Sequence, residues 1–133
     1  MSRSNLGKDY PDGTIIFHQG ETGHTMYIIL QGSVEIYLEE DIREISLARR
    51  GQGDFLGEMA LLTQEKRSAS ARAIGPVRLL SLDKKNFLRR VQEDPTIAMR
   101  LVAMLSSRIR EMDTQVVVLT HALRDCIEPQ TSK

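Results

Sequence analysis

The stretch of sequence that decides the fold is "GEMALLTQEKRSAS", residues 57–70. It opens with a glycine and a glutamate, passes through apolar residues and a polar loop, and reaches an arginine followed by small residues. Glu58 and Arg67 therefore stand at the two edges of a polar loop that joins segments suited to burial. Two explanations fit this placement. The two side chains form an internal ion pair, or they bind a ligand that needs one acceptor and one cation.

The residue types in this stretch suit a phosphorylated ligand. Gly57 permits a sharp backbone turn, and "EMALL" favours a short helix whose first N–H groups attract anions. The guanidinium of Arg67 matches two phosphate oxygens, and the carboxylate of Glu58 can accept from a sugar hydroxyl. The pattern therefore suits a ribose phosphate, with the ion pair as the alternative.

The surrounding residues, from 10 to 83, form short β-like runs separated by turns. "PDG" at 11–13 is a strong turn signal. The glycine at "QG" (31–32) and the Gly75-Pro76 pair each predict a hairpin turn between two strands. The predicted strands are "TIIF" (14–17), "MYIIL" (26–30), "SVEIYLE" (33–39), "ISLARR" (45–50), "SASARAI" (68–74) and "VRLLSL" (77–82). Many short strands with glycine turns indicate a small sandwich or barrel-like roll, at about 10–83.

After residue 83, the spacing of the apolar residues changes to that of a helix. Residues 84–93 predict a short amphipathic helix capped by Asp83. Residues 96–128 contain no glycine or proline and predict a long helix; thirty such residues would extend about 45 Å. Apolar residues recur there at alternating spacings of three and four, starting at Val102 and Leu105. The part of this seam assigned to dimerisation is Ile109, Met112, Val116, Leu119, Leu123 and Cys126.

The seam has two interpretations. β-Branched residues mostly at one seam position, with Leu, Met and Cys at the other, favour a two-stranded parallel coiled coil. A helix that folds back on the roll of its own chain would show the same spacing. We expect both, with the first turns on the roll and the part beyond Ile109 paired with a second chain.

The composition excludes several classes of function. The 133 residues carry 18 basic and 18 acidic side chains, which gives no net field to attract DNA or an anionic membrane. The basic run "KKNFLRR" (84–90) is therefore interpreted as a solvated helix face. With one cysteine and no apolar run of membrane-spanning length or signal-peptide character, a cytoplasmic protein is expected.

Catalysis and metal binding also find little support in the sequence. His18, His24 and His121 are scattered and no H-x-H is present, so a metal-dependent enzyme of the cupin type is disfavoured. Cys126 lies at a seam position and is interpreted as a small packed hydrophobe rather than a nucleophile. We therefore expect no catalytic residues, no metal and no cofactor.

Residues 55–73, "FLGEMALLTQEKRSASARA", resemble the phosphate-binding cassette of the cyclic-nucleotide-binding domain family. That cassette is written F-G-E-x-A-L-L, a short loop, then R-S/T/A-A. The upstream "IIFHQGETGHTMYIILQGSVEIY" (15–37) is similar to the family's first glycine-punctuated hairpins. The resemblance covers roughly residues 10–128. It implies an α+β, mainly β fold: an eight-stranded antiparallel β-roll (double-stranded β-helix or jelly roll) with flanking helices and a long C-terminal helix, all in one domain, 1–133.

The resemblance also implies which residues bind the nucleotide. Glu58 would accept from the ribose 2′-hydroxyl and Arg67 would pair with the cyclic phosphate. The implied nucleotide-binding residues are Gly57, Glu58, Met59, Ala60, Arg67, Ser68 and Ala69. The implied ligand is cAMP or cGMP, with cAMP favoured because it is the more frequent ligand in the family.

The pattern as a whole resembles bacterial regulators of the catabolite activator type, in which the long helix forms the dimer and covers the base. Adjacent hydroxyl residues on that helix contact the purine in those proteins. The corresponding residues here are Met112 and Asp113, followed by Thr114. This departure leaves base selectivity open, since Asp113 can accept from the exocyclic amine of adenine or of guanine.

Those regulators continue into a helix-turn-helix domain, whereas this sequence ends with "PQTSK" (129–133). A free-standing module and an excised fragment both fit, and the initial methionine and polar tail favour a small complete protein without direct DNA binding. The leading interpretation is a non-catalytic cyclic-nucleotide sensor that signals through its long helix to an unidentified downstream partner. The alternative is a nucleotide-free scaffold or dimerisation module of the same fold.

Overall fold

The structure, a computed structural model, describes residues 6–127, with the backbone alone at Ile127. The chain divides after Asp94 into two compact units. The first unit contains six strands and two helices: β1 (Lys8–Tyr10), β2 (Ile15–Phe17), β3 (Thr25–Glu40), β4 (Arg43–Arg50), β5 (Phe55–Leu56), α1 (Glu58–Thr63), β6 (Ser70–Asp83) and α2 (Lys84–Glu93). The second contains α3 (Thr96–Ile127). Glu128, the predicted last residue of the long helix, lies outside the described residues.

The strands form one antiparallel sheet built on two long strands, β3 and β6. β6 pairs with β1, β2 and β3, and β3 pairs in addition with β4 and β5. Nearly the whole length of β3 is paired with β6, from the Thr25–Asp83 pair to the Tyr37–Ser70 pair. The fold is thus an antiparallel sheet with helices and a long C-terminal helix, as the sequence predicts. The expected predominance of β structure is not observed, because helices and strands contain similar numbers of the described residues.

The two predicted hairpin turns are wrong. β3 runs without interruption through Gly32, and β6 runs through Gly75 and Pro76. Gly32 and Gly75 do have positive φ angles, 98° and 70°, but they lie where the register between β3 and β6 shifts. Such a bulge bends a strand without ending it.

The described residues form six strands, whereas the family resemblance implies eight. The unbroken strands β3 and β6 replace four of the strands predicted from the sequence. The jelly-roll arrangement stays a prediction.

The core of the first unit lies between β3, β5 and β6. Its buried members are Ile29, Val34, Leu56, Ala71, Ala73, Val77 and Leu79. Tyr37 of β3 is also buried, at 1% exposure, although a charged side chain lies beside it. The guanidinium carbon of Arg72 lies 4.3 Å from the centre of the Tyr37 ring and covers it. A cation–π contact of this kind allows an aromatic ring to be buried on a charged face.

Local signals predict both ends of α2 and the start of α3. The side chain of Asp83 accepts from the backbone N–H of Asn86 at 2.8 Å, which caps α2. α2 ends at Glu93, and Pro95 disfavours helical geometry at the residue before it. α3 then continues for 32 residues. Within residues 6–127, no helix is both long and apolar enough to cross a membrane.

Candidate functional site

The cassette, residues 55–73, is anchored to the sheet at its first two residues. Phe55 and Leu56 pair with β3 and are almost completely buried. Gly57 then forms the N-cap of α1 with a φ of 71°. A residue with a side chain adopts this left-handed backbone conformation only under strain. The predicted turn and short helix are therefore present in the structure.

α1 buries one face and exposes the other. Glu58, Ala60 and Leu61 are buried, whereas Met59 and Leu62 are 44% and 43% exposed. Glu58 is thus a buried carboxylate, 6% exposed, in the first turn of the helix. The negative charge at that position is favourable because the first turn carries the positive end of the helix dipole.

Arg67 is also buried, at 6% exposure, and its guanidinium is held on three sides. Its Nη1 donates to the carbonyl of Gly57 at 3.2 Å, and its Nη2 donates to the hydroxyl of Thr25 at 3.4 Å. Its Cζ lies 4.3 Å from the centre of the Phe17 ring. Both hydrogen-bond acceptors are neutral oxygens, and the ring offers a cation–π contact.

The electrostatic consequence is that burial lowers the pKa of Arg67. Desolvation is the largest influence, and the charges of Tyr27, Glu21 and Glu58 act in the opposite direction without offsetting it. The Glu58 carboxylate is therefore close enough to act on Arg67. Burying this cation has a desolvation cost, and the charges of the protein itself do not cancel that cost. Such a balance is expected at a site where an anion binds.

A second arginine of the cassette shows the opposite balance. Arg72 Nη2 lies 2.6 Å from a carboxylate oxygen of Glu35 and 2.9 Å from one of Glu44. These two carboxylates raise the pKa of Arg72 above its ordinary value. Arg72 is thus neutralised by its own chain.

Two glycines give the Arg67 guanidinium its space. A Cβ added to Gly23 would lie 2.5–2.7 Å from three atoms of the guanidinium group, and one added to Gly57 would collide with Nη1. Contacts this short do not occur, so a side chain at either position would displace the guanidinium. The position of Arg67 therefore depends on two loops that approach it from different parts of the chain.

The remaining predicted site residues have different environments. Ala60 and Ala69 are buried, and Met59 and Ser68 are exposed. Met112, Asp113 and Thr114 are exposed residues of α3, and the Thr114 hydroxyl donates to the carbonyl of Arg110 at 3.0 Å. Their contact with a base stays a prediction.

The sequence reasoning missed the residues that hold the guanidinium. Phe17, Gly23 and Thr25 precede Arg67 by 50, 44 and 42 positions, and no local pattern links them to it. The only local signal is the pair of glycines in "QGETGH" (19–24), which indicates a loop but does not link it to Arg67. Within residues 6–127, no group of three or more His, Cys, Asp or Glu side chains is placed to hold a metal ion.

The buried Arg67 and the cassette around it belong to a known class of ligand-binding module. Residues 7–94 match the model of the cyclic nucleotide-binding domain, and the chain belongs to this family.

Among curated proteins, the chain is similar to the Cyclic AMP receptor protein of Thermus thermophilus, with 37% identity over 112 residues, which are 84% of this chain and 52% of that protein. Among solved structures, it is similar to the Thermus thermophilus Catabolite Activator Protein, with a TM-score of 0.73, 36% identity, and coverage of 85% of this chain and 54% of that one. It is also similar to the cGMP-bound form of the EAL enzyme Bd1971, with a TM-score of 0.60, 40% identity, and coverage of 79% of this chain and 28% of that one. The chain spans about half the length of the curated relative.

Proposed function

We propose that the chain binds cAMP, in preference to cGMP, in its sheet unit and acts as a non-catalytic sensor that signals through α3. In this proposal Arg67 binds the cyclic phosphate and Glu58 accepts from the ribose 2′-hydroxyl. Gly57, Met59, Ala60, Ser68 and Ala69 complete the site. The setting would be cytoplasmic, and the signal would reach a downstream protein rather than DNA directly.

The observation that carries this proposal is the state of Arg67. The guanidinium is buried, donates to neutral oxygens, and has a pKa lowered by desolvation. A singly charged cyclic phosphodiester would add negative charge that offsets this desolvation, and two acceptor oxygens of suitable geometry. The contrast with Arg72, whose countercharges come from Glu35 and Glu44, supports a ligand role for Arg67 alone.

The preference for cAMP rests on similarity. The Thermus thermophilus relative is named for cyclic AMP, while the EAL enzyme Bd1971 has also been solved in a cGMP-bound form. The residue proposed to face the base, Asp113, accepts from an amine of either purine. Asp113→Asn, compared with the parent protein for both nucleotides, would show whether this carboxylate contributes to selectivity.

Signal transfer through α3 is supported by the apolar seam of that helix. The seam residues Ile109, Met112, Val116, Leu119 and Leu123 are 58–62% exposed, and Cys126 is exposed. A parallel homodimer would cover them in a two-stranded coiled coil. Nucleotide binding can act as a switch only if it favours one geometry of that helix over another.

The proposal is tested by calorimetric titration of the purified chain with cAMP and with cGMP. We expect binding of both, tighter for cAMP, and a loss of about 2–5 kcal/mol in Arg67→Ala because a charged contact to the phosphate disappears. Arg89→Ala is the matched control, since Arg89 is exposed on α2 and donates to Asn86. It should bind as the parent does.

The second candidate function, a nucleotide-free dimerisation scaffold, is favoured by the exposed seam alone. If the parent protein binds neither nucleotide at tens of micromolar and still associates through α3, the scaffold interpretation replaces the sensor. If Arg67→Ala binds as tightly as the parent, the assignment of the phosphate to Arg67 is wrong even though a nucleotide binds.

A further inference from the structure

A hydrogen-bond network built on one carboxylate joins the loop 18–24 to the strands that flank the cassette. Glu39 Oε2 lies 3.2 Å from His18 Nδ1 and accepts from the Ser70 hydroxyl at 2.5 Å. The Ser70 oxygen accepts from the N–H of Gln19 at 2.8 Å, and the N–H of Glu39 donates to the side-chain oxygen of Gln19 at 2.9 Å. Glu39 thereby ties the loop to the end of β3 and the start of β6.

The same loop holds the backbone of Arg67 from both sides. The N–H of Gly20 donates to the carbonyl of Arg67 at 2.8 Å, and the N–H of Arg67 donates to the carbonyl of Glu21 at 2.9 Å. The Glu21 side chain accepts from the N–H of His18 at 2.7 Å and closes the loop on itself. Because the loop and Arg67 share these bonds, a displacement of the loop displaces Arg67.

We propose that Glu39 is a positioning residue for Arg67. The proposal rests on the proposed function in one respect, that Arg67 is the group that binds the cyclic phosphate. Glu39 acts through the loop 18–24 rather than by touching the ligand.

The groups around Glu39 favour its charged form. Hydrogen bonds from Ser70 and then His18 hold the pKa of Glu39 below its ordinary value, and Arg72 acts in the same direction. Glu39 therefore holds the network together as a carboxylate, the form that accepts from the Ser70 hydroxyl.

The expected size is modest because the pair is partly exposed. The side chains of His18 and Glu39 are 50% and 43% exposed, so solvent weakens the contact between them. We expect Glu39→Gln to bind cAMP about two- to fivefold more weakly than the parent.

The test is calorimetric titration of the parent and of Glu39→Gln with cAMP. Glu39→Gln keeps a side-chain oxygen and removes the charge that accepts from the Ser70 hydroxyl. Glu40→Gln, the neighbouring exposed glutamate, is the matched control and should bind as the parent does. Parent-like cAMP binding in Glu39→Gln would overturn the proposal.

A second readout needs no nucleotide. In the free protein, the amides of Gly20 and Arg67 should exchange with solvent faster in Glu39→Gln than in the parent or in Glu40→Gln. If the parent binds no cAMP but Glu39→Gln shows this faster exchange, the proposed function fails and the positioning network stands. If the parent binds cAMP and Glu39→Gln has the parent's affinity and exchange rates, the network proposal fails and the proposed function stands.

Discussion

The cassette buries a charged side chain, whereas the long helix exposes apolar side chains. In the cassette, the guanidinium of Arg67 is buried and its desolvation is not offset by the charges around it. On α3, the apolar seam from Ile109 to Leu123 is more than half exposed. A buried cation is relieved by an anion, whereas an exposed apolar stripe is relieved by another apolar surface. The cassette is therefore suited to an anionic ligand, and the helix is suited to a partner with an apolar surface.

The two regions also differ in size, and so would the partners that they bind. One phosphate group would satisfy a single guanidinium. The seam from Ile109 to Cys126 covers 17 helical steps, or about 26 Å, which requires a partner of protein size. The comparison therefore supports the proposed ligand in the sheet unit and the proposed protein partner on the helix, and each of the following predictions tests one of these two proposals.

The largest expected effect concerns the seam. Leu119→Asp should abolish self-association, because a dimer would lose two buried leucines at about 1.5–3 kcal/mol each and would bring two carboxylates together. Val118→Asp is the matched control, since Val118 is equally exposed, at 60% against 62%, and lies outside the seam. Sedimentation equilibrium measures both. Equal loss of association in the two variants would show that the seam is not the dimer interface.

The second prediction contrasts one leucine in the core with one on the helix. Leu79 is 1% exposed and belongs to the core between β3 and β6, so Leu79→Ala should lower the free energy of unfolding by about 2–5 kcal/mol. Leu119→Ala, measured in dilute solution where the chain is monomeric, should lower it by less than about 0.5 kcal/mol. Urea unfolding followed by circular dichroism gives both values. A large loss in dilute Leu119→Ala would mean that the seam is covered within a single chain.

The third prediction concerns the turn that opens the cassette. Gly57→Ala should lower stability by about 1–2 kcal/mol because of the positive φ angle. It should also weaken cAMP binding by at least about tenfold, since its Cβ would displace the Arg67 guanidinium. Gly51→Ala is the control, because an added Cβ there meets nothing within 4 Å. Thermal unfolding and calorimetric titration separate the two effects. Unchanged binding in Gly57→Ala would argue against Arg67 as the phosphate ligand.

Much of the cassette was predictable because its signals are local. The glycine turn and the short helix from Glu58 each depend on residues within a few positions of one another, as does the cap at Asp83 outside the cassette. The contacts that hold Arg67 were not predictable in this way. Phe17 and Thr25 reach the guanidinium only because the fold brings distant segments together.

The two hairpin turns were wrongly predicted for a related physical reason. A glycine with positive φ either turns the chain back or makes a bulge, and the outcome depends on what lies across the sheet. Opposite Gly32 lies a second irregular segment around Gly75, so β3 and β6 stay paired through both glycines. β1 and β5 were missed because runs of three and two residues are too short to show a period.

The smallest expected effect sharpens the contrast within the cassette, between Arg67 and Arg72. Glu35 accepts from Arg72, and this bond, followed by one from Ser46, holds the pKa of Glu35 below its ordinary value. A carboxyl with a lowered pKa in the folded state stabilises the protein above its unfolded pKa, about 4.3, and this contribution disappears as the pH falls. Because the pair is partly exposed, Glu35→Gln should cost no more than about 1 kcal/mol at pH 7, and the difference from the parent should shrink towards zero near pH 3. Urea unfolding at the two pH values measures it, with the exposed Glu65→Gln as control. A constant difference at both pH values would mean that the Glu35 charge does not neutralise Arg72. The two arginines of the cassette would then no longer be distinguished by their countercharges, and the assignment of the ligand to Arg67 would have to rest on its burial and position alone.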